Sequence, residues 1–177
     1  MYWMSDDDGR DSSPEHVQYS LHLTNPLKGA VELLAARQFK TPQCLIEDLL
    51  LSAVLEERGV LTELERKRLT AEVALFRRID EILKQLRRLD RWDEHVTRMV
   101  VETIERDHLP LYELAIGGDA YQNGNTTKNR INKQIGARVK EGLQATIKAT
   151  RRGGPPLKGS VTKGLIRTYT KLWRSSR

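Results

Sequence analysis

A short alternating run with no second strand beside it constrains this chain more than any other stretch. Within residues 16–59, HVQYSLHLTNPLKGAVELLAARQFKTPQCLIEDLLLSAVLEERG, Val17, Tyr19, Leu21 and Leu23 alternate with Gln18, Ser20 and His22. A period of two sends the apolar side chains to one face and the hydrogen-bonding ones to the other, which is the pattern of a half-buried strand. Nothing nearby offers a partner at hairpin distance, and an unpaired strand leaves a row of backbone donors and acceptors open. A second copy of the chain, pairing strand to strand across a two-fold axis, satisfies them.

The residues that follow agree with self-association. Asn25 is placed to cap a helix with Pro26 at its first position, and Leu27, Ala30, Val31, Leu34 and Ala35 form one apolar stripe. The pattern breaks over residues 38–41. Thr41 then caps a second helix with Pro42 at N1, in which Leu45, Ile46, Leu49, Leu50, Leu51, Ala53, Val54 and Leu55 leave little of the circumference polar. A helix that is apolar on most sides calls for burial on several sides, more than one short chain supplies.

Strand, helix, tight turn and helix in this order resemble the ribbon-helix-helix family of dimeric DNA-binding proteins. The resemblance covers residues 16–59, roughly a quarter of the chain. It implies paired strands in the major groove, with Gln18, Ser20 and His22 as base readers, and a phosphate held at the amide end of the second helix by Lys40, Thr41 and Gln43. Gln pairs bidentately with adenine, and Ser and His donate or accept at base edges. Where that family usually has a glycine between the helices, this chain has Phe39 and Lys40. Its outward strand residues include no Arg or Lys.

The charge is strongly segregated. The chain has 177 residues and a net charge of +6, but from Tyr121 onward fourteen Lys or Arg face the single acid Glu141, and the first 120 residues are net acidic. In TTKNRINKQIGARVKEGLQATIKATRR, Ile131, Ile135, Val139 and Leu143 fall on successive turns. Arg130, Lys133, Lys140 and Lys148 cluster opposite them within roughly an 80° sector, giving a basic amphipathic helix. Arg151 and Arg152 precede the break GGPP, after which Lys163, Arg167 and Lys171 recur beside Leu165, Tyr169 and Leu172 in an expected short helix. Such basic helices serve nucleic-acid backbones, anionic membranes or acidic partners. Few large apolar residues are available for insertion, so no membrane partner is expected.

The intervening region reads as helical. Thr62 and Glu65 make a capping box, and Leu69, Val73, Phe76, Ile79, Leu83 and Leu86 keep a near-heptad period. A second helix over about residues 90–106 carries Trp92, Val96, Met99, Val100 and Ile104 on one side, and Pro110 is expected to end it. The Gly-rich stretch GGDAYQNGN follows as a linker where the charge changes sign.

The expected organisation is therefore mainly α. It comprises an acidic disordered leader over 1–15, a ribbon-helix-helix-like module over 16–60, a helical hairpin over 61–116, a linker over 117–126 and a basic helical region over 127–177. The chain shows no nucleotide loop, nucleophile elbow, CxxC pair or histidine spacing for a metal, so neither an enzyme nor a cofactor is expected. His95 and His108 read as surface histidines. One cysteine, Cys44, in an apolar helix, no run of about 20 apolar residues and no signal peptide point to a cytoplasmic protein. The expectation is a homodimeric, sequence-selective or accessory DNA-binding protein, such as a transcriptional repressor or a plasmid accessory factor. Its alternative is a helical subunit of a larger nucleoprotein complex that touches RNA or DNA through the basic third.

Overall fold

A computed structural model of the chain describes residues 20–90, 92–150, 154–161 and 164–174. Among these, the elements in order are α1 (Asn25–Arg37), α2 (Pro42–Glu56), α3 (Glu63–Leu89), α4 (Val96–Asp107), α5 (Leu109–Ile116), α6 (Thr126–Gly142), and four three-residue strands, β1 (Ala145–Ile147), β2 (Lys158–Ser160), β3 (Thr168–Thr170) and β4 (Leu172–Arg174). The protein is mainly helical, with a small antiparallel β portion.

The helices start where local chemistry dictates. The Thr41 hydroxyl accepts from the Cys44 amide at 3.1 Å, and Thr62 with Glu65 forms a complete capping box, so one orphan amide at the first of these ends and two at the second are not left to water alone. In α1 the cap moves one residue back, to Thr24, and Pro26 sits in the first turn. The turn between α1 and α2 places Phe39 at φ 56°, a left-handed conformation that costs a non-glycine residue about 1–2 kcal/mol. The Arg87 guanidinium, 3.6 Å from the Phe39 ring centroid, packs over it and offsets part of that cost.

The 27-residue α3 is the spine. Its buried Leu75, Phe76, Ile79 and Leu83 recur at helical spacing and meet Val96, Val100 and Ile104 of α4, Tyr112 and Ile116 of α5, and Ile131, Ile135 and Val139 of α6. Burying each large aliphatic side chain stabilises the fold by about 1.5–3 kcal/mol. Pro110 does not end a helix as expected. It lies in the first turn of α5, where its missing N–H costs nothing. The expected linker is also tied down, because Ala120 is fully buried in the same core and Asn125 donates to the Ile116 carbonyl at 3.1 Å.

The residues after α6 correct the expectation of basic C-terminal helices. Among the described residues beyond Gly142 none is helical; β1 pairs antiparallel with β4, and β2 with β3. The basic residues here do recur every three or four positions, but Thr146, Ile147, Thr168, Tyr169 and Thr170 are β-branched or aromatic and fit a pleated surface. Tyr169 shows why β2 carries Gly159. Its ring lies across that residue so closely that a Cβ there would come within 2.2 Å of Cζ. The alternating run fares differently. Residues 17–19 lie outside the described residues, and Ser20, Leu21, His22 and Leu23 are in no strand within a single chain.

The first helical pair stands apart from the core. In α1 only Ala35 is buried, and in α2 only Cys44 and Leu45. Leu27, Leu33, Leu34, Leu49 and Leu50 are all exposed, Leu50 at 61%.

Candidate nucleic-acid interface

Helix α6 presents three faces. Ile131, Ile135 and Val139 enter the core, and at 100° per residue two polar faces flank them, each roughly 100° away.

One polar face, Arg130, Gln134 and Arg138, meets acids from the first half of the chain. Arg130 donates to both oxygens of Glu72 at 2.7 and 2.6 Å, and that pairing holds the guanidinium pKa above its ordinary value. Glu72 is buried in the α3 wall, so Arg130 supplies what burial takes from its charged form. Gln134 donates to Glu47 of α2 at 3.1 Å. Arg138 has a 4% exposed side chain, pairs with Asp48 at 2.5 Å, lies 3.5 Å from Asp80 and sits over the Phe76 ring. Lys40 joins the same two acids, at 2.8 Å from Asp48 and 3.3 Å from Asp80. This ion-paired seam fastens the α1–α2 pair to α3 and α6.

A second neutralising cluster fastens the strands. The backbone amide of Lys148 donates to the Lys171 carbonyl at 3.0 Å, which brings both ammonium groups onto Glu94. Lys171 donates at 2.7 Å, Lys148 is also bonded to Glu94, and the two together pull its carboxyl pKa down to about 2. Lys148 also lies 4.1 Å from the Trp173 ring centroid. Arg174 reaches Asp90 at 2.8 Å. Tyr169 is buried, and its hydroxyl meets His95 Nδ1 at 2.6 Å. Both aromatics of this segment are thus engaged by protein groups.

The other polar face of α6 opens on a cleft of about 960 Å³ walled by α6, by Tyr121 to Gly124 and by residues 164–170. Asn129, Asn132, Lys133, Gly136 and Lys140 line it from α6, and Arg167, Thr168 and Thr170 from the opposite side. Val101, Ile135, Leu165 and Leu172 contribute apolar surface at the base. No Asp or Glu is among the lining residues. Acids stand at its margins, among them Asp119, which accepts from the Tyr121 amide at 2.7 Å. Glu105 accepts from the Tyr121 hydroxyl at 2.8 Å, and Glu141 lies 3.4 Å from Lys140.

The polar groups of the cleft are held from behind. The core Tyr112, its hydroxyl pKa pushed up to about 12 by burial, donates to Asn132 Oδ1 at 2.8 Å. Lys128 is turned to the loop, donating to the carbonyls of Ala120 and Gln122 at 2.6 and 3.2 Å. Lys133 and Arg167 are different, for no carboxylate among the described residues pairs with either.

The sequence-predicted positions therefore separate into groups. Lys40, Arg130, Lys148 and Lys171 are neutralised within the chain; Thr41 is a helix cap; Gln43 donates to Glu47 at 2.9 Å. Lys128, Lys133, Lys140 and Arg167 share the cleft. Ser20 and His22 are exposed on the segment before α1, and Gln18, Arg151, Arg152 and Lys163 lie outside the described residues. Sequence reasoning missed Asn129, Asn132 and Gly136, although the spacing of the two asparagines with Lys133 and Lys140 is one helical face and was open to reading. It placed Arg130 in one basic sector with Lys133, but that sector straddles two faces with different neighbours.

No protein-family model, curated protein or solved structure matches this chain.

Proposed function

We propose that the protein binds nucleic acid, that the cleft on α6 supplies its phosphate contacts, and that it acts as a dimer. The observation that carries this reading is the cleft itself. Cations and amides converge there without an opposing carboxylate among the lining residues, although among the described residues Arg130, Arg138, Lys148, Lys171 and Arg174 of the basic third are all matched to acids. Free cations beside hydrogen-bonding amides suit a phosphate backbone, whose binding releases counterions.

In this reading the α1–α2 pair is the dimer surface. Its exposed leucines pack on a second copy, and residues 17–23 pair across the two-fold axis as in ribbon-helix-helix proteins, with Gln18, Ser20 and His22 choosing the sequence. Lys40 and Gln43 of the inferred phosphate clamp are engaged internally, so affinity comes from the cleft.

Titrating labelled DNA at several ionic strengths tests the first part. Affinity should fall steeply as salt rises, and salt-independent or absent binding overturns it. Sizing the protein tests the second. Leu49 is 54% exposed in one chain, so Leu49→Asp should give a folded monomer; a wild-type monomer, or one soluble only with another subunit, overturns the dimer in favour of a larger complex.

A further inference from the structure

Gly136 is a glycine that the fold itself does not require. It lies in the interior of α6, its φ is not positive, and nothing lies within 4 Å of where a Cβ would stand. Gly142, nearer the end of the helix, is different, since a Cβ there would come within 2.7 Å of Leu83. A glycine in a helix interior costs about 0.5–1 kcal/mol relative to alanine. At Gly136 no turn and no packing contact offsets that cost, and the residue faces the cleft.

Its position in the cleft matters. Gly136 and Ala137 form a gap in the middle of the α6 wall, between Asn132 and Lys133 on one side and Lys140 on the other. A ligand group can reach the helix backbone there, with an amide and a cation at one end of the gap and a cation at the other. Exposed apolar surface comes from Tyr121 and Ile147, and the nearly covered Val101, Ile135 and Leu165 close the floor.

That layering selects among nucleic acids. A duplex turns its bases inward and offers phosphates on a convex surface, so an apolar base beneath a cationic rim contributes nothing to holding it. An unpaired nucleotide presents a flat apolar ring, a hydrogen-bonding edge and a phosphate together, and single-strand sites combine a cationic groove with surfaces for the bases. The volume of about 960 Å³ lies at the upper end of the roughly 300–1,000 Å³ range of small-molecule sites. It accommodates a few unpaired nucleotides, whereas a double helix meets only the cationic rim, through its phosphates.

Resting on the nucleic-acid reading above, we infer that the cleft takes a single strand, with a base or sugar seated on the Gly136 gap, phosphates at Lys133 and Arg167, and the Asn129 amide on a base edge. Gly136→Leu fills the gap without touching a charge. Ala137→Leu narrows it from the next position, and Gly136→Ala adds the smallest side chain.

The test is fluorescence anisotropy with the full chain, using a short mixed-sequence oligonucleotide alone, the same strand annealed to its complement, and a mononucleotide as competitor. Circular dichroism checks that each variant folds. Gly136→Leu should weaken single-strand binding about tenfold or more, the order of one base contact, and leave duplex binding within about twofold. Ala137→Leu should act in the same direction, and it carries the test if Gly136→Leu fails to fold. Folded Gly136→Leu or Ala137→Leu that binds the strand as wild type does overturns the gap. Equal losses on strand and duplex overturn the selectivity, and displacement by a mononucleotide at the same nucleotide concentration overturns the strand in favour of a nucleotide pocket. Binding of neither strand nor duplex by the wild type defeats the nucleic-acid reading itself, an outcome distinct from all of these.

Discussion

Arg130 and Lys133 sit less than one turn apart on the same helix, and their situations are opposite. Arg130 is pinned by both oxygens of a buried glutamate; Lys133 faces an acid-free cleft. The same contrast separates Arg138, enclosed with Asp48 and Asp80, from Arg167. Basic residues of one segment thus perform two tasks. Those on the seam replace the solvation that acids lose when helices pack, and their net worth is structural. Those on the cleft keep their charge available, and packing is nearly indifferent to them. A local excess of positive charge therefore does not identify a binding surface; an excess left over after internal pairing does.

The comparison breaks most visibly at Arg138. Arg138→Ala should destabilise the protein by about 3 kcal/mol in urea unfolding, because it leaves Asp48 and Asp80 sharing only Lys40. A loss below about 1 kcal/mol would place the seam with ordinary surface pairs.

Charge reversal on the other face should do the converse. Lys133→Glu with Arg167→Glu should lower nucleic-acid affinity at least about tenfold while changing unfolding free energy by no more than about 0.5 kcal/mol. Comparable damage to stability would erase the distinction between the faces. A milder pair of variants sharpens it: Lys133→Gln should reduce the slope of log affinity against log salt by about 0.7–0.9, whereas Lys148→Gln should leave the slope unchanged.

The smallest effect is acid-dependent. Lys148 and Lys171 lower the Glu94 pKa from an ordinary 4.5 to about 2. A depressed carboxylate pKa stabilises the fold above its unfolded value, and that contribution fades as pH falls from about 4.5 towards 2. Melting temperatures of the wild type and Glu94→Gln should therefore differ near neutrality and converge over that window. A constant difference would remove the two-lysine arrangement as its cause.

How much of this was legible in the sequence depends on the reach of the interactions involved. Thr41 and the Thr62–Glu65 box act within one turn, and the structure has both caps where the residues place them. The apolar stripe of Ile131, Ile135 and Val139 is likewise local and enters the core. The strands were not legible, because each is three residues long and depends on a partner reached only by folding. β1 meets β4 with Ala145 opposite Arg174, and β-branched Thr168 and Thr170 sit among basic residues at helical spacing. The division of the cations was hidden for the same reason, since nothing near Arg130 in the sequence announces Glu72. Within the cleft, the cationic positions could be named from residue type, but Gly136 could not, because its meaning rests on the empty space beside it.

The seam also orders events in time. Apart from those of Lys40, its pairs and those at Glu94 join residues between 54 and 90 positions apart, and the acid precedes the base in each. A chain leaving the ribosome exposes Asp48, Glu72, Asp80 and Glu94 before any of their matching cations except Lys40 has been made, so the nascent α2 to α4 region reaches water as an anionic segment whose groove on α3 is vacant. Arrival of α6 fills that groove and supplies the cations for Asp48, Glu72 and Asp80 in a single docking event, so the earlier helices gain these cross-links only once residues 126–142 have been made.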